Sequence, residues 1–207
     1  EFATEMVIKD SLFKARISEV PITLHPDGRK AHPPHLKTWR DGWRTLRFFL
    51  LYSPRWLFLI PGLVLMLLGV LGYAVALPGI SIGKATFDAH TLLFASLFFL
   101  IGYQAVLFAI FTKRFAISEG MMPPDQRLTR FIQFFTLEKG LIIGLLTGLV
   151  GMFLLIGAVN QWWESGFGRL NYAVTMRWVI PGATLVMLGF QTLFASFFIS
   201  VLGMRRP

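Results

Sequence analysis

The chain has 207 residues, of which 55% are hydrophobic and 15% are charged, and its mean hydropathy is +0.61. Soluble domains carry about 45–50% apolar and about 25% charged residues, so this composition points to a membrane protein. The net charge of +9 permits nucleic acid or an anionic membrane as partner, whereas the absence of cysteine excludes disulfides, thiolate zinc sites and cysteine nucleophiles.

The first 28 residues predict one helix and one strand. Residues 1–15 carry apolar side chains at helical spacing, and residues 17–24 alternate apolar with polar or proline positions. The turn sequence Pro26-Asp27-Gly28 follows. One helix and one strand each leave an apolar face without a partner, and the chain begins with Glu1 rather than Met. We therefore expect residues 1–28 to be the trailing edge of a larger α/β domain in a longer polypeptide.

Residues 29–56 combine a basic, proline-containing loop with a predicted helix over residues 36–51. Apolar residues repeat along that helix at spacings of three and four: Leu36, Trp39, Trp43, Leu46 and Leu50. A basic row follows one position later: Lys37, Arg40, Arg44 and Arg47. The two rows lie about 100° apart. Tryptophan and leucine beside arginine are typical of a helix that lies along the membrane interface.

Two interpretations of the basic row remain open. Generic attraction to anionic headgroups is worth about 1 kcal/mol per Lys or Arg near the surface. A specific site for a lipid-borne phosphate is the alternative, because the planar guanidinium of Arg binds phosphate oxygens bidentately.

The rest of the chain, residues 57–207, predicts four transmembrane helices. Four stretches lack Asp, Glu, Lys and Arg over at least the roughly 20 residues that a bilayer core requires. The predicted spans are residues 57–77, 91–111, 141–161 and 179–201. The fold class is therefore mainly α, a four-helix transmembrane bundle behind an amphipathic helix and a truncated α/β edge.

The distribution of Lys and Arg predicts the orientation of these spans. Seventeen lie in residues 1–56, in the connection between the second and third spans, and in the tail, against three in the other two loops. Both termini are therefore predicted to be cytoplasmic. Topology alone explains the positive charge, and no reading module is apparent, so nucleic acid is not a predicted partner.

Small and polar residues single out two features inside the spans. Gly140, Gly144, Gly148 and Gly151 lie on one face of the third span. Such a face favours close helix packing within the bundle, with homo-oligomerisation as the alternative. Gln104, Asn160 and Gln191 are the notable polar residues, and His90 stands at a span end. Because pumps and channels normally need ionisable groups inside the membrane, neither function is predicted.

Several motifs carry a resemblance to a known family. The runs concerned are Glu5-Met6-Val7-Ile8-Lys9, residues 17–24 with Glu19-Val20-Pro21, and Pro26-Asp27-Gly28-Arg29. They resemble family 2 glycosyltransferases that use polyprenyl phosphate, relatives of the dolichyl-phosphate glucose and mannose synthases. The run Trp39-Arg40-Asp41-Gly42-Trp43-Arg44, with its flanks, resembles a bacterial branch in which the catalytic domain precedes a membrane bundle. The resemblance covers about residues 1–62.

The resemblance implies transfer of a sugar from a nucleotide sugar to polyprenyl phosphate at the cytoplasmic face of a bacterial inner (plasma) membrane. It places Arg29 and Lys30 near the phosphates, and it puts Glu5 on a helix near the acceptor, where packing is the alternative role. His32 and His35 are candidates for phosphate contact or plain loop residues. Lys37, Arg40, Arg44 and Arg47 extend this acceptor and membrane-lipid site on physical grounds, since they would face the same headgroups.

One departure from the family limits what this chain can do. The family's nucleotide-sugar half and the D-x-D motif that holds a divalent metal, Mg or Mn, are not in these 207 residues. No metal or cofactor is therefore predicted in this chain, and the isolated chain is predicted to be inactive. The alternative function is a non-catalytic four-span protein that binds or translocates a lipid-linked sugar.

Overall fold

The protein is described by a computed structural model that covers residues 2–16, 18–23, 38–82 and 85–204. Its helices are α1 (Phe2–Leu12), α2 (Thr38–Leu51), a π-helical turn (Arg55–Leu59) that continues into α3 (Ile60–Ala76), α4 (Ala89–Ser118), α5 (Gln126–Phe134), α6 (Leu137–Glu164) and α7 (Tyr172–Gly203). A short antiparallel hairpin, β1 (Ser81–Ile82) and β2 (Ala85–Thr86), joins α3 to α4.

Four helices are long and apolar enough to cross a bilayer, which confirms the predicted transmembrane bundle. They are Arg55–Ala76, Ala89–Ser118, Leu137–Glu164 and Tyr172–Gly203. The second, third and fourth run two to seven residues past the predicted spans at each end, because charged residues such as Lys113, Lys139 and Arg177 continue the helices outside the apolar stretches.

The predicted strand over residues 17–24 does not appear in the part of the chain that the structure describes. Residues 18–23 have no regular secondary structure. A strand is held by hydrogen bonds to a neighbouring strand, and no backbone hydrogen bond from these residues to another described residue is present. The sequence alternates between apolar and polar residues as a strand would, but no described segment lies beside residues 18–23 as a partner strand.

The four spans pack mainly in a row, in the order α3, α4, α7, α6, and Tyr73 of α3 also reaches Thr184 of α7. Within the pairs α3–α4 and α6–α7, glycines bring the backbones together. A Cβ on Gly102 would lie 2.6 Å from the carbonyl oxygen of Gly62, and one on Gly189 would lie 2.7 Å from that of Gly144. Glycine allows this close approach because it has no side chain to separate the helices.

The middle pair, α4 and α7, is joined by side chains. The Tyr103 hydroxyl lies 2.8 Å from Thr192 Oγ1, and the rings of Phe111 and Phe198 pack edge to face with centroids 4.8 Å apart. The row therefore consists of two hairpins, and the helices within each hairpin are in backbone contact. Hydroxyl and aromatic side chains join the two hairpins along the α4–α7 seam.

Because the spans alternate in direction, one end of the bundle gathers the start of the first span, the connection with α5, and the end of α7. We call this end the N-terminal face. Arg55 and Lys113 line one cleft there, and a Cβ on Gly203 would lie 3.4 Å from an Arg114 guanidinium nitrogen. At the opposite end, Arg177 reaches Asp88 at 3.4 Å.

Candidate functional site

The junction between α1 and α2 contains the predicted residue Glu5. Its carboxylate pairs with Lys9 at 2.8 Å and accepts a hydrogen bond from the Tyr52 hydroxyl at 3.3 Å. The bond from Lys9 lowers the pKa of Glu5 and raises that of Lys9, while burial raises the pKa of Tyr52. Glu5 therefore ties the first helix to the end of the second as a charged, hydrogen-bonded group.

Helix α2 forms as predicted over its described length, and its basic row is accessible. Arg40, Arg44 and Arg47 are all exposed, and Arg40 lies 3.9 Å from Asp41. In the apolar row, Trp39, Trp43 and Leu46 are exposed as well, with Trp39 93% accessible. Leu50 is half-buried, and Leu36 lies outside the described residues. Both faces are thus open to a partner other than this chain's described residues.

Five predicted phosphate contacts, Arg29, Lys30, His32, His35 and Lys37, lie outside the described residues. The resemblance also implies a divalent metal for the complete enzyme. No group of three or more His, Asp or Glu side chains that could hold a metal ion occurs in the described ranges. The described residues therefore do not fit such a metal.

The glycine row of the third span faces α7. Cβ atoms added at Gly140, Gly144 and Gly151 would meet, respectively, Ser196, the carbonyl oxygen of Gly189 and the carbonyl oxygen of Gly182. Gly148 differs, since nothing lies within 4 Å of a Cβ built there. Its own backbone instead lies against Gly189.

Two of the polar membrane residues meet at the α4–α7 seam. Gln104 and Gln191 line the same two lipid-facing clefts, of about 360 and 410 Å³, together with Phe108. Gln191 Oε1 is buried without a hydrogen-bond partner among the described residues. Asn160 instead donates to Glu164 at 3.0 Å near the end of α6, and His90 is exposed.

A cleft of about 610 Å³ opens on the N-terminal face between the π-helical turn, α4 and α5. Its polar lining is Arg55, Lys113, Asp125 and Arg127, and its apolar lining includes Leu59, Val106, Ile110, Leu128 and Phe131. The cleft therefore has charged groups where the first span begins and apolar walls toward the membrane.

Asp125 organises this cleft. Its carboxylate pairs with Lys113 and caps α5 by accepting from the backbone N–H groups of Arg127 at 2.8 Å and Leu128 at 3.4 Å. The Lys113 hydrogen bond is the main cause that lowers the pKa of Asp125, with help from the two backbone donors. The cap fixes where α5 starts and thus where Arg127 stands.

This cleft could not be predicted from the sequence, because its residues are far apart in the chain. One signal was available: Arg55 and Lys113 flank the first two spans on the same side. Another signal was Asp125, a residue type that often caps a helix. It directly precedes the short amphipathic helix that carries Leu128 and Phe131.

The fold and these surfaces define an integral membrane protein with four spans and a cationic N-terminal face. Residues 110–203 match the model of the glycosyltransferase family 2 C-terminal transmembrane region. The chain is also 34% identical over 205 residues to the low-salt glycan biosynthesis hexosyltransferase Agl6 of Haloferax volcanii. That match covers 98% of this chain and 48% of the relative, so the chain spans about half of its length. No solved structure matches.

Residues 110–203 thus carry the family 2 transmembrane region, and the chain resembles the C-terminal part of a membrane-bound family 2 glycosyltransferase. The predicted resemblance is confirmed.

Proposed function

We propose that this chain is the membrane part of a glycosyltransferase that transfers a sugar from a nucleotide sugar to polyprenyl phosphate. The observation that carries the proposal is the 34% identity to a hexosyltransferase along 98% of the chain. In this proposal the spans anchor the enzyme, and the N-terminal segment and face hold the acceptor.

The chemistry of the acceptor supports cationic residues in this role. A phosphate oxygen is already anionic, so its attack on the sugar depends on positioning and charge compensation more than on a strong base. Arg40, Arg44 and Arg47 stand one turn apart on one side of an exposed helix, where guanidinium groups could bind phosphate bidentately. Arg29, Lys30, His32, His35 and Lys37 belong to the same proposed acceptor region.

Nucleotide-sugar binding and the divalent metal, Mg or Mn, are assigned to a part of the enzyme outside these 207 residues, which contain no D-x-D. We therefore propose that the isolated chain binds acceptor lipid without transferring sugar. The excess of Lys and Arg on the N-terminal face supports a cytoplasmic position for that face, in a plasma membrane.

The test uses the complete enzyme, with sugar transfer to polyprenyl phosphate as the readout. Replacing Arg40 and Arg44 with glutamine should raise the KM for polyprenyl phosphate about tenfold or more, because a hydrogen bond to a charged group is worth about 1.5–3 kcal/mol. The KM for the nucleotide sugar should stay within about twofold, since the helix serves the acceptor in this assignment. Arg169→Gln, which removes an exposed arginine between the third and fourth spans, is the matched control.

If no sugar reaches polyprenyl phosphate with any nucleotide sugar, the proposal is wrong. If the α2 variants change only membrane partition, the helix acts by generic headgroup attraction, and the acceptor role of its arginines is lost.

The two glutamines that line the same clefts at the α4–α7 seam favour one other candidate, a non-catalytic protein that binds or moves a lipid-linked sugar. Amide groups in a membrane cleft can hydrogen-bond sugar hydroxyls, and Gln191 Oε1 has no partner among the described residues. Movement of a lipid-linked sugar across liposomes by the purified chain, abolished in Gln191→Leu, would establish this function.

A further inference from the structure

The cleft on the N-terminal face combines charge and apolar surface in a single cavity. Arg55, Lys113 and Arg127 bring positive charge to it, and Leu59, Ile110 and Phe131 are among its apolar wall residues. Arg55 stands at the start of the first span, and Lys113 lies in the last turns of α4. A cavity at this depth suits a molecule that has an anionic head and an apolar tail.

The three cationic side chains of the cleft differ in whether they already form an ion pair. Lys113 is engaged by Asp125, whereas Arg55 and Arg127 are exposed and form no ion pair with any residue that the structure describes. Two guanidinium groups are therefore left to bind an anion, and the one carboxylate is held by Lys113 and by the α5 backbone.

The charge balance selects among anions. Three cations and one carboxylate leave a net charge of +2 in the cleft. A phosphate monoester carries about −1.5 to −2 at neutral pH, which matches this charge, whereas a phosphodiester headgroup carries a single negative charge. The volume of about 610 Å³ lies within the range of about 300–1,000 Å³ that is usual for small-molecule sites.

We propose that this cleft binds the phosphate monoester head of an isoprenoid lipid, with Arg55 and Arg127 on the phosphate and the apolar wall against the first isoprene units. The identity of the tail rests on the proposed function. The phosphate assignment rests on the cleft itself. Lys113 and Asp125 act as positioning residues, because they set the start of α5 and so the place of Arg127.

Binding is measured directly on the purified chain in phosphatidylcholine nanodiscs, by native mass spectrometry with polyprenyl phosphate as the probe. Arg55→Gln and Arg127→Gln should each weaken binding about tenfold or more. Arg55→Lys and Arg127→Lys keep the positive charge but lose the two-pronged guanidinium. Their affinity for polyprenyl phosphate should fall between that of the wild type and that of the glutamine variants. Arg130→Gln is the matched control, since Arg130 is an exposed arginine on the same helix that does not line the cleft. It should change binding less than about twofold.

Two competitors identify the ligand chemistry. Free polyprenol has the tail without the phosphate, and phosphatidylglycerol has a diester headgroup; both should compete at least about tenfold more weakly than polyprenyl phosphate. Equal competition by phosphatidylglycerol would show a general anionic-lipid site and overturn the proposal. So would unchanged binding in both glutamine variants.

These outcomes are independent of turnover. If the complete enzyme glycosylates polyprenyl phosphate while both glutamine variants bind it normally, the cleft assignment alone fails. If the cleft binds polyprenyl phosphate through its arginines but the complete enzyme transfers no sugar to it, the proposed function alone fails. The lysine variants and a circular dichroism spectrum separate lost binding from lost folding.

Discussion

Gly151 on α6 and Gly182 on α7 face each other so closely that a Cβ on Gly151 would lie 2.6 Å from the carbonyl oxygen of Gly182. The contact is reciprocal, because a Cβ on Gly182 would lie 3.1 Å from the carbonyl oxygen of Gly151. The two helices therefore meet through their backbones at this level, where any side chain would push them apart.

Gly151→Ala should lower the free energy of unfolding by about 1–3 kcal/mol, because the added methyl group overpacks a backbone contact. Gly148→Ala is the control from the same row. Its Cβ would meet nothing within 4 Å, so the better helix propensity of alanine should leave stability unchanged or raise it by up to about 1 kcal/mol. Thermal unfolding in detergent measures both, and equal shifts would contradict the packing argument.

A second prediction concerns the hydroxyl cluster that joins α3, α4 and α7. The Tyr73 hydroxyl lies 2.6 Å from Ser96 Oγ and 3.1 Å from Thr184 Oγ1. Tyr73→Phe should cost about 0.6 kcal/mol and at most about 1.7 kcal/mol, the range measured for hydrogen bonds between membrane helices. Tyr172→Phe, at an exposed position, should cost nothing measurable. An equal loss in both variants would mean that the cluster adds no stability.

The ion pair between Lys113 and Asp125 predicts an acid dependence. Because the pKa of Asp125 is lowered in the folded protein, the ionised carboxylate favours folding at neutral pH. That stability is present above the ordinary value of 3.8 and is lost as the pH falls through the lower folded value. Asp125→Asn should therefore be less stable at neutral pH and show a smaller loss on acidification.

Unfolding midpoints of wild type and Asp125→Asn across acidic pH give the measurement. Parallel curves for the two proteins would show that Asp125 does not contribute to the acid transition. Glu119→Gln is a useful control, since it removes another carboxylate from the same connection.

A fourth prediction compares two glycines with a left-handed backbone, so that the cost of backbone strain is separated from the cost of a steric clash. Gly79 has a φ of +70° and lies against the Arg177 guanidinium, while Gly120 has a φ of +69° with nothing within 4 Å of an added Cβ. Gly120→Ala should cost about 1 kcal/mol for the left-handed backbone alone. Gly79→Ala should cost more, because the methyl group also displaces Arg177 from the loop and from Asp88. Thermal unfolding of the two variants tests the difference, and equal losses would show that Arg177 adjusts freely.

The sequence predicted the elements that depend on local pattern. Apolar length located the four spans, and the three-four spacing located α2, since both properties are read within one helix. The prediction of a strand over residues 17–24 was wrong for residues 18–23. A strand depends on hydrogen bonds to a partner strand, and alternation of apolar and polar residues does not supply one.

The cleft and the helix order could not be read from the sequence for a related reason. Lys113 and Asp125 meet only because α4 ends and α5 begins beside the first span. Similarly, the glycine row on α6 indicated a close neighbour, but spacing along one helix does not say which helix that neighbour is. Gln104 and Gln191 stood out as polar residues, and their shared clefts follow from the adjacency of α4 and α7.

The row of helices has a consequence for biosynthesis. The first hairpin can pack as soon as its second helix has left the ribosome, since α3 and α4 are consecutive spans in backbone contact. Helix α6 has no partner until α7, the next helix along the chain, has been made. Helix α7 then closes the second hairpin and joins it to the first in one event. A chain stopped before Tyr172 would leave α6 and the inner side of α4 without partners, so α7 is the span that joins the two hairpins.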